Sequence, residues 1–154
     1  MKLTTQSRYG VRAVFDIAYH SEGRSTLVKE ISRRQEISPR YLEQIFQRLK
    51  RAGIVGSRTG PSGGYHLMKN PAKITVGQIL RITEGDITPV ACVGPQNAKR
   101  RCDRMGQCVT SVIWREAGKR LKQYLDSVTT RDLCEMAQKM GLKKDSSAVG
   151  TSSM

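Results

Sequence analysis

The chain has 154 residues, with 27 Lys and Arg against 13 Asp and Glu, so its formal net charge is +14. With 38% hydrophobic and 5% aromatic residues it can build one modest core, a single domain or a small domain with an appendage. Such a charge predicts a polyanionic partner, either nucleic acid or an anionic surface, bound in a salt-sensitive way because each neutralised phosphate releases counterions. No run approaches the roughly 18–20 apolar residues of a membrane span.

Met1 leads into Lys2-Leu3-Thr4-Thr5-Gln6 with no apolar leader, which predicts a cytoplasmic chain without membrane association. In that setting the four cysteines read as metal or redox ligands rather than as disulfides.

Residues 7–20 carry Tyr9, Val11, Val14, Phe15, Ile17 and Ala18 at helical spacing, which predicts a helix with one buried face. Gly10 in its first turns predicts the close approach of a neighbouring backbone, or simply a weaker helix. A loop over residues 21–25 precedes a second short helix, residues 28–35, expected to bury Leu27, Val28 and Ile31. Ser38-Pro39 is a strong helix start: serine caps, and proline at the first helical position has no N–H to leave unpaired. The third helix runs through Tyr41, Leu42, Ile45, Phe46 and Leu49 and ends at Ala52-Gly53, where glycine takes the left-handed position.

Two β-prone runs, residues 54–58 and 65–67, flank Thr59-Gly60-Pro61-Ser62-Gly63-Gly64 and predict a hairpin. Three helices followed by a hairpin is the order of a winged helix-turn-helix. Thr75 caps a further helix, residues 76–83, stopped by Gly85. Patterning is then lost over residues 88–107, a stretch holding Cys92, Lys99-Arg100-Arg101 and Cys102; a loop of that length is functional or disordered.

A long helix follows, with Val109, Ile113, Ala117, Leu121 and Leu125 at four-residue steps and Val112, Trp114, Tyr124 and Val128 widening the stripe. Thr130 caps a last helix, residues 131–140, and the tail from Lys143 is small and polar, hence disordered. The chain is expected to be mainly α, organised as residues 1–86, a cysteine-bearing loop 87–108, helices 109–140, and a tail 141–154.

In a helix-turn-helix the second helix of the motif enters the major groove with its N-terminal residues facing the bases. Here those are Ser38, Arg40, Tyr41, Glu43 and Gln44. Arg40 suits guanine O6/N7, Gln44 suits adenine, and Glu43 can accept from cytosine N4, contributing discrimination more than affinity. Arg48, Lys50 and Arg51 continue the helix with phosphate-positioning charge, and Arg58 stands where the wing reaches phosphate or the minor groove. Taken singly, each of these residues is more often plain solvated surface; together, element order, Ser-Pro start, glycine-rich wing and charge favour binding of double-stranded DNA. An RNA-associated basic protein is the rival that charge alone allows. With two histidines, no phosphate loop and no Ser/His/Asp constellation, little is present to run an enzymatic reaction.

Cys92, Cys102 and Cys108 are separated by nine and five residues. Zinc ribbons favour Cys-x2-Cys pairs, and none occurs. Three thiolates on one loop can wrap an iron–sulfur cluster, with Lys99, Arg100, Arg101 and Arg104 lowering their pKa. The same cysteines are also compatible with a thiol redox switch or with simple packing. Cys134, on the last helix, reads as a small buried apolar residue.

Several segments resemble the Rrf-type winged-helix transcriptional regulators, the group that includes IscR-, NsrR- and CymR-like members. They are Met1-Lys2-Leu3-Thr4, Ser7-Arg8-Tyr9-Gly10, Ile37-Ser38-Pro39-Arg40-Tyr41-Leu42-Glu43-Gln44-Ile45, Gly60-Pro61-Ser62-Gly63-Gly64-Tyr65 and the run from Cys108 to Trp114. The resemblance covers about residues 1–140. It implies a homodimer in which the long helix crosses its partner and sets two winged helices on a palindromic operator. It also implies an iron–sulfur cluster on Cys92, Cys102 and Cys108, [2Fe–2S] in preference to [4Fe–4S], and a base-reading acid at Glu43.

Three positions depart from the pattern. IscR-like members have a histidine where this chain has Ser111, and NsrR-like members a carboxylate where it has Arg8. The arginine usual before the Gly-Pro turn is Thr59 here, with Arg58 preceding it. CymR-like members offer the alternative of a cluster-free regulator controlled by a partner enzyme or by thiol oxidation.

Overall fold

The computed structural model describes residues 3–94, 102–104 and 106–145. Its helices are α1 (Thr5–His20), α2 (Val28–Gln35), α3 (Pro39–Arg51), α4 (Val76–Glu84), α5 (Thr110–Ser127) and α6 (Thr130–Lys139). Strands β1 (Val55–Arg58) and β2 (Gly64–Leu67) form an antiparallel pair in the register Val55↔Leu67 to Arg58↔Gly64. This is the predicted order of three helices, a wing and a long C-terminal helix.

The core sits where α1, α2, α3 and the wing meet. Ala13, Val14, Ile17, Ile31, Leu42, Ile45, Phe46 and Leu49 are all fully buried. Gly10 brings α1 against α4: a Cβ there would lie 3.0 Å from Thr83 Cγ2 and 3.4 Å from Ile79 Cγ2. The approach at this glycine is made to side chains, not to a neighbouring backbone as expected, because the methyl groups of Thr83 and Ile79 fill the space between the two helices. α3 begins as expected, with Ser38 Oγ accepting from the Tyr41 N–H at 3.3 Å and Pro39 at the first helical position. Its end is Gly53, at φ +77.

The wing carries a third backbone contact that periodicity did not predict. Thr26 and Tyr65 exchange both backbone hydrogen bonds, each at 2.8 Å. Gly64 makes this possible: its φ is +127, and a Cβ there would sit 2.1 Å from the Thr26 carbonyl oxygen. Thr26 is drawn into the sheet, and Leu27 becomes the N-cap of α2 with 41% exposure. The expected burial of Leu27 is thus corrected, because the bridge at Thr26 fixes the strand face and turns the next residue outward.

Two further expectations change. The last helix is capped by Thr129, whose hydroxyl accepts from the Asp132 N–H at 3.1 Å while the Asp132 carboxylate accepts from the Thr129 N–H at 2.8 Å. Thr130 is buried and donates to the Ile74 carbonyl instead. Within the stretch expected to lack regular structure, Ala91–Val93 forms a 3₁₀ turn. Residues 95–101, with Lys99-Arg100-Arg101, lie outside the described residues.

The tail divides similarly. Residues 141–145 pack on the helices, while residues 146–154 lie outside those described. Tyr19 donates its hydroxyl to the Leu142 carbonyl, and Asp145 meets Arg33 and Arg34. Beneath this contact lies a buried ion pair that hydrophobic patterning does not signal. Asp16 is fully buried on α1 and receives Arg34 Nη2 at 2.7 Å and Nε at 3.0 Å, with Gln35 Nε2 at 2.9 Å. A buried carboxylate persists only with such donors.

His20 closes the cluster. Its Nδ1 accepts the Asp145 N–H at 2.9 Å, and its Nε2 is 4.0 Å from Asp16. Burial holds its pKa below the ordinary histidine value; Asp16 and Asp145 pull the other way, while Arg34 and Lys144 add to the lowering. The folded chain therefore binds fewer protons at His20 than the unfolded chain. That contribution to stability is present above the unfolded value of about 6.5 and is lost as pH falls from there through the lower folded value. Chemical denaturation should show the unfolding midpoint dropping from about pH 7 towards pH 5, and His20→Gln should flatten that drop. An identical pH profile in the variant would exclude His20 as its source.

Candidate DNA-reading face and cysteine segment

Two stripes run along α3. Leu42, Ile45, Phe46 and Leu49 are buried, whereas Arg40, Glu43, Gln44 and Gln47 are exposed on the other side. Both sets follow the i, i+3, i+4, i+7 spacing of one helical face. Ser38 is exposed at the N-terminus, where the free N–H groups and the helix dipole favour an anion. Gln47 was missed in the sequence, although its place seven residues after Arg40 was the signal. Tyr41 is half-buried, edge-on to Tyr9 at 5.6 Å, so its ring belongs in part to the packing of α1 on α3.

The wing stands beside this face. Tyr65 stacks on Phe46 with ring centroids 4.3 Å apart and 20° between planes. Burial, followed by the charge of Glu43, pushes the Tyr65 hydroxyl pKa upward, which puts the Glu43 carboxylate within the electrostatic reach of the wing. Lys50 Nζ donates to Ser57 Oγ at 2.6 Å, tying the end of α3 to β1. Arg58 and Thr59 are exposed at the tip of the hairpin.

Arg48 behaves differently from its neighbours: Nη1 donates to the Thr83 carbonyl at 2.8 Å, at the C-terminal end of α4. The guanidinium is thus engaged within the fold by a charge-assisted bond that also satisfies a helix-end carbonyl.

The three loop cysteines occupy different settings. Cys92 is half-buried in the 3₁₀ turn, Cys102 is exposed, and Cys108 is half-buried just before α5. The Cys108 thiol pKa is lowered, first by the Thr110 hydroxyl at 3.1 Å, then by the Ser111 N–H, with Arg115 adding positive charge. Ser111 is buried; it donates to the Cys108 carbonyl at 2.7 Å and accepts from Arg115 at 3.1 Å. Arg8 is exposed at the start of α1. Cys134, half-buried on α6, has its thiol pKa raised by burial. Among the described residues, no three His, Cys, Asp or Glu side chains gather closely enough to hold a metal ion. Among them, too, no helix is long and apolar enough to cross a membrane.

A helix-turn-helix with an adjoining wing and a long C-terminal helix defines a winged-helix transcriptional regulator. The family model for Rrf2, described as an iron-dependent transcriptional regulator, matches residues 3–136, and the chain belongs to that family. It is 37% identical over 133 residues to the HTH-type transcriptional regulator IscR of Yersinia pseudotuberculosis, covering 86% of this chain and 79% of that protein. The fold is similar to T. potens IscR, with TM-score 0.74, 32% identity and 94% of each chain covered. It is also similar to CymR, the global cysteine regulator of B. subtilis, with TM-score 0.70 and 34% identity over 88% of this chain and 98% of that one.

Loss of the Arg48 guanidinium should be felt in the fold itself. Arg48→Met is expected to lower stability by about 1–2 kcal/mol, read as a lower urea midpoint at unchanged slope. An unchanged midpoint would leave the side chain free for an external contact alone.

Proposed function

We propose that the chain is a dimeric DNA-binding regulator that reads a palindromic operator through α3 and its wing, under the control of an iron–sulfur cluster held by Cys92, Cys102 and Cys108. The single observation that carries the DNA assignment is the exposed stripe Arg40, Glu43, Gln44 and Gln47 behind a serine-capped N-terminus, rolled outward by burial of the opposite stripe. Arg40 presents a bidentate fork to guanine, Gln44 matches adenine, and Glu43 selects against bases that offer it no donor. Ser38 and the helix N-terminus take a phosphate, with Arg58 and Thr59 placed at the wing tip for the backbone or minor groove. Dimer formation is supported by α5, which leaves Val112 63%, Ile113 60% and Tyr124 63% exposed in one copy of the chain.

The donor set suits the cluster in kind: three soft sulfur ligands, one of them with a lowered pKa beside α5. A cluster would supply a redox-sensitive link between the segment after α4 and the start of α5. The chain's own residues translate that link. Pro89 packs on Gly118 of α5, and the Thr75–Thr129 bridge joins the two ends of the same unit, so a change in the segment between them reaches α4 and the winged helix.

One observation favours a second reading, a cluster-free regulator controlled by a partner enzyme or thiol oxidation. Position 111 is a serine already committed to Cys108 and Arg115, and position 8 is an exposed arginine, so neither adds a fourth ligand.

Selection of binding sites from random duplexes tests the reading face. Arg40→Ala should weaken specific binding by about 1–3 kcal/mol, and Glu43→Ala should broaden base preference more than it lowers affinity. Unchanged base preference in both variants would remove these residues from the reading face. Anaerobic purification tests the cluster: visible charge-transfer absorption with stoichiometric iron and sulfide is expected, lost in Cys102→Ala. Colourless, iron-free protein from anaerobic cells would establish the second reading.

A further inference from the structure

The most distinctive feature outside the reading face and the cysteines is a basic cleft between α4, residues 86–94 and α5. Its volume is about 310 Å³, enough for a small molecule. Arg81 lines it from α4, and Arg115, Lys119 and Lys122 line it from successive turns of one face of α5. Trp114 forms part of the wall, and Asp86 is the one carboxylate among the lining residues. Four cations around one small cleft repel each other, so the arrangement is stabilised by an anion that enters it.

The hydrogen-bond pattern points the same way. Arg81 uses Nη2 for Asp126 Oδ1 at 2.8 Å, while its Nη1 is buried without a partner among the described residues. A buried guanidinium N–H without an acceptor is unfavourable, so Arg81 on the cleft wall keeps donor capacity that the described residues leave unused. Lys119 and Lys122 form no ion pair within 4.0 Å among the described residues, the nearby Glu116 being held by Arg120 at 2.9 Å. Gly118 completes the shape, since a Cβ there would lie 2.9 Å from Pro89 Cδ. The segment carrying Pro89 therefore lies directly on α5 and forms the floor.

We propose that this cleft binds a small polyanion, carrying at least two carboxylate or phosphate groups, as an effector of the regulator. Arg81 and Arg115, bonded through Nη2 to Asp126 and to Ser111 respectively, supply their remaining guanidinium donors, Lys119 and Lys122 supply charge at the rim, and Trp114 covers the apolar part of the ligand. Because the walls belong to α4 of the winged helix and to α5, a bound anion clamps one to the other. Linkage then requires that the ligand and operator DNA alter each other's affinity by the same factor. The inference needs neither the base-reading assignments nor the cluster, and its first test involves no DNA and no iron.

Trp114 is the only tryptophan of the chain, so its fluorescence reports on the cleft without labelling. The full-length protein is titrated with citrate and, separately, with pyrophosphate, against sodium chloride at matched ionic strength. A saturable change in the submillimolar range is expected for one of the two probes, and the responding probe distinguishes a carboxylate from a phosphate ligand. In the surface variant Lys119→Ala/Lys122→Ala, affinity should fall by about tenfold or more, with circular dichroism unchanged.

No saturable response to either probe into the millimolar range overturns the proposal, as does a response the double variant retains or sodium chloride reproduces. Weaker operator binding in the double variant, without any probe binding, would assign these lysines to DNA phosphates and also overturn it.

Discussion

Leu42, Ile45, Phe46 and Leu49 are fully buried, and that burial fixes the roll of α3 about its own axis. A helix has only two broad sides, so locking four apolar side chains against α1, α2 and the wing leaves Arg40, Glu43, Gln44 and Gln47 nowhere to go but outward. The Phe46–Tyr65 stack extends the constraint to the hairpin, and the paired backbone bonds between Thr26 and Tyr65 extend it to the start of α2. The wing is held against α3 by this aromatic stack, by the Lys50–Ser57 bond and by buried Ile54 and Val55, with Thr26 supporting it on its far side.

The winged helix is joined to the long helix by short-range devices along α5. Val76 donates to the Val128 carbonyl at 2.9 Å, and Thr130 donates to the Ile74 carbonyl at 2.7 Å. Arg81 on α4 pairs with Asp126 near the end of α5, and Gly77 leaves the room that Asp126 occupies. Midway along α5, Pro89 rests on Gly118. The helix is held from its middle to its C-terminal end to the unit that carries α3, and the cysteine segment runs from Pro89 to the N-terminal end of α5.

A second polar centre stabilises the opposite side of the molecule. Asp16, Arg34, Gln35 and His20 satisfy one another under the residues that follow α6, and the C-terminal chain is fastened to α1 and α2 by ion pairs and hydrogen bonds. Such a cluster specifies one arrangement of α1 and α2, since losing one member leaves the others buried and unpaired.

Local chemistry made much of this legible in the sequence. The spacing of Leu42 to Leu49, the Ser38-Pro39 start, Gly53 and the Gly60–Gly64 turn each encode a local geometry, so the helices, the hairpin and the outward residues of α3 followed from neighbours in the chain. The same reasoning located the three cysteines and the resemblance to the Rrf-type family. Tertiary structure decided the rest, because those contacts join residues far apart in sequence. It decided that Arg48 bonds the Thr83 carbonyl, that Thr26 enters the wing and exposes Leu27, and that Asp16 finds Arg34 in the core. It also brought Arg81 beside Arg115, Lys119 and Lys122. Periodicity records which side of an element is buried; which charges meet, and which are left unpaired, depends on how the elements are stacked.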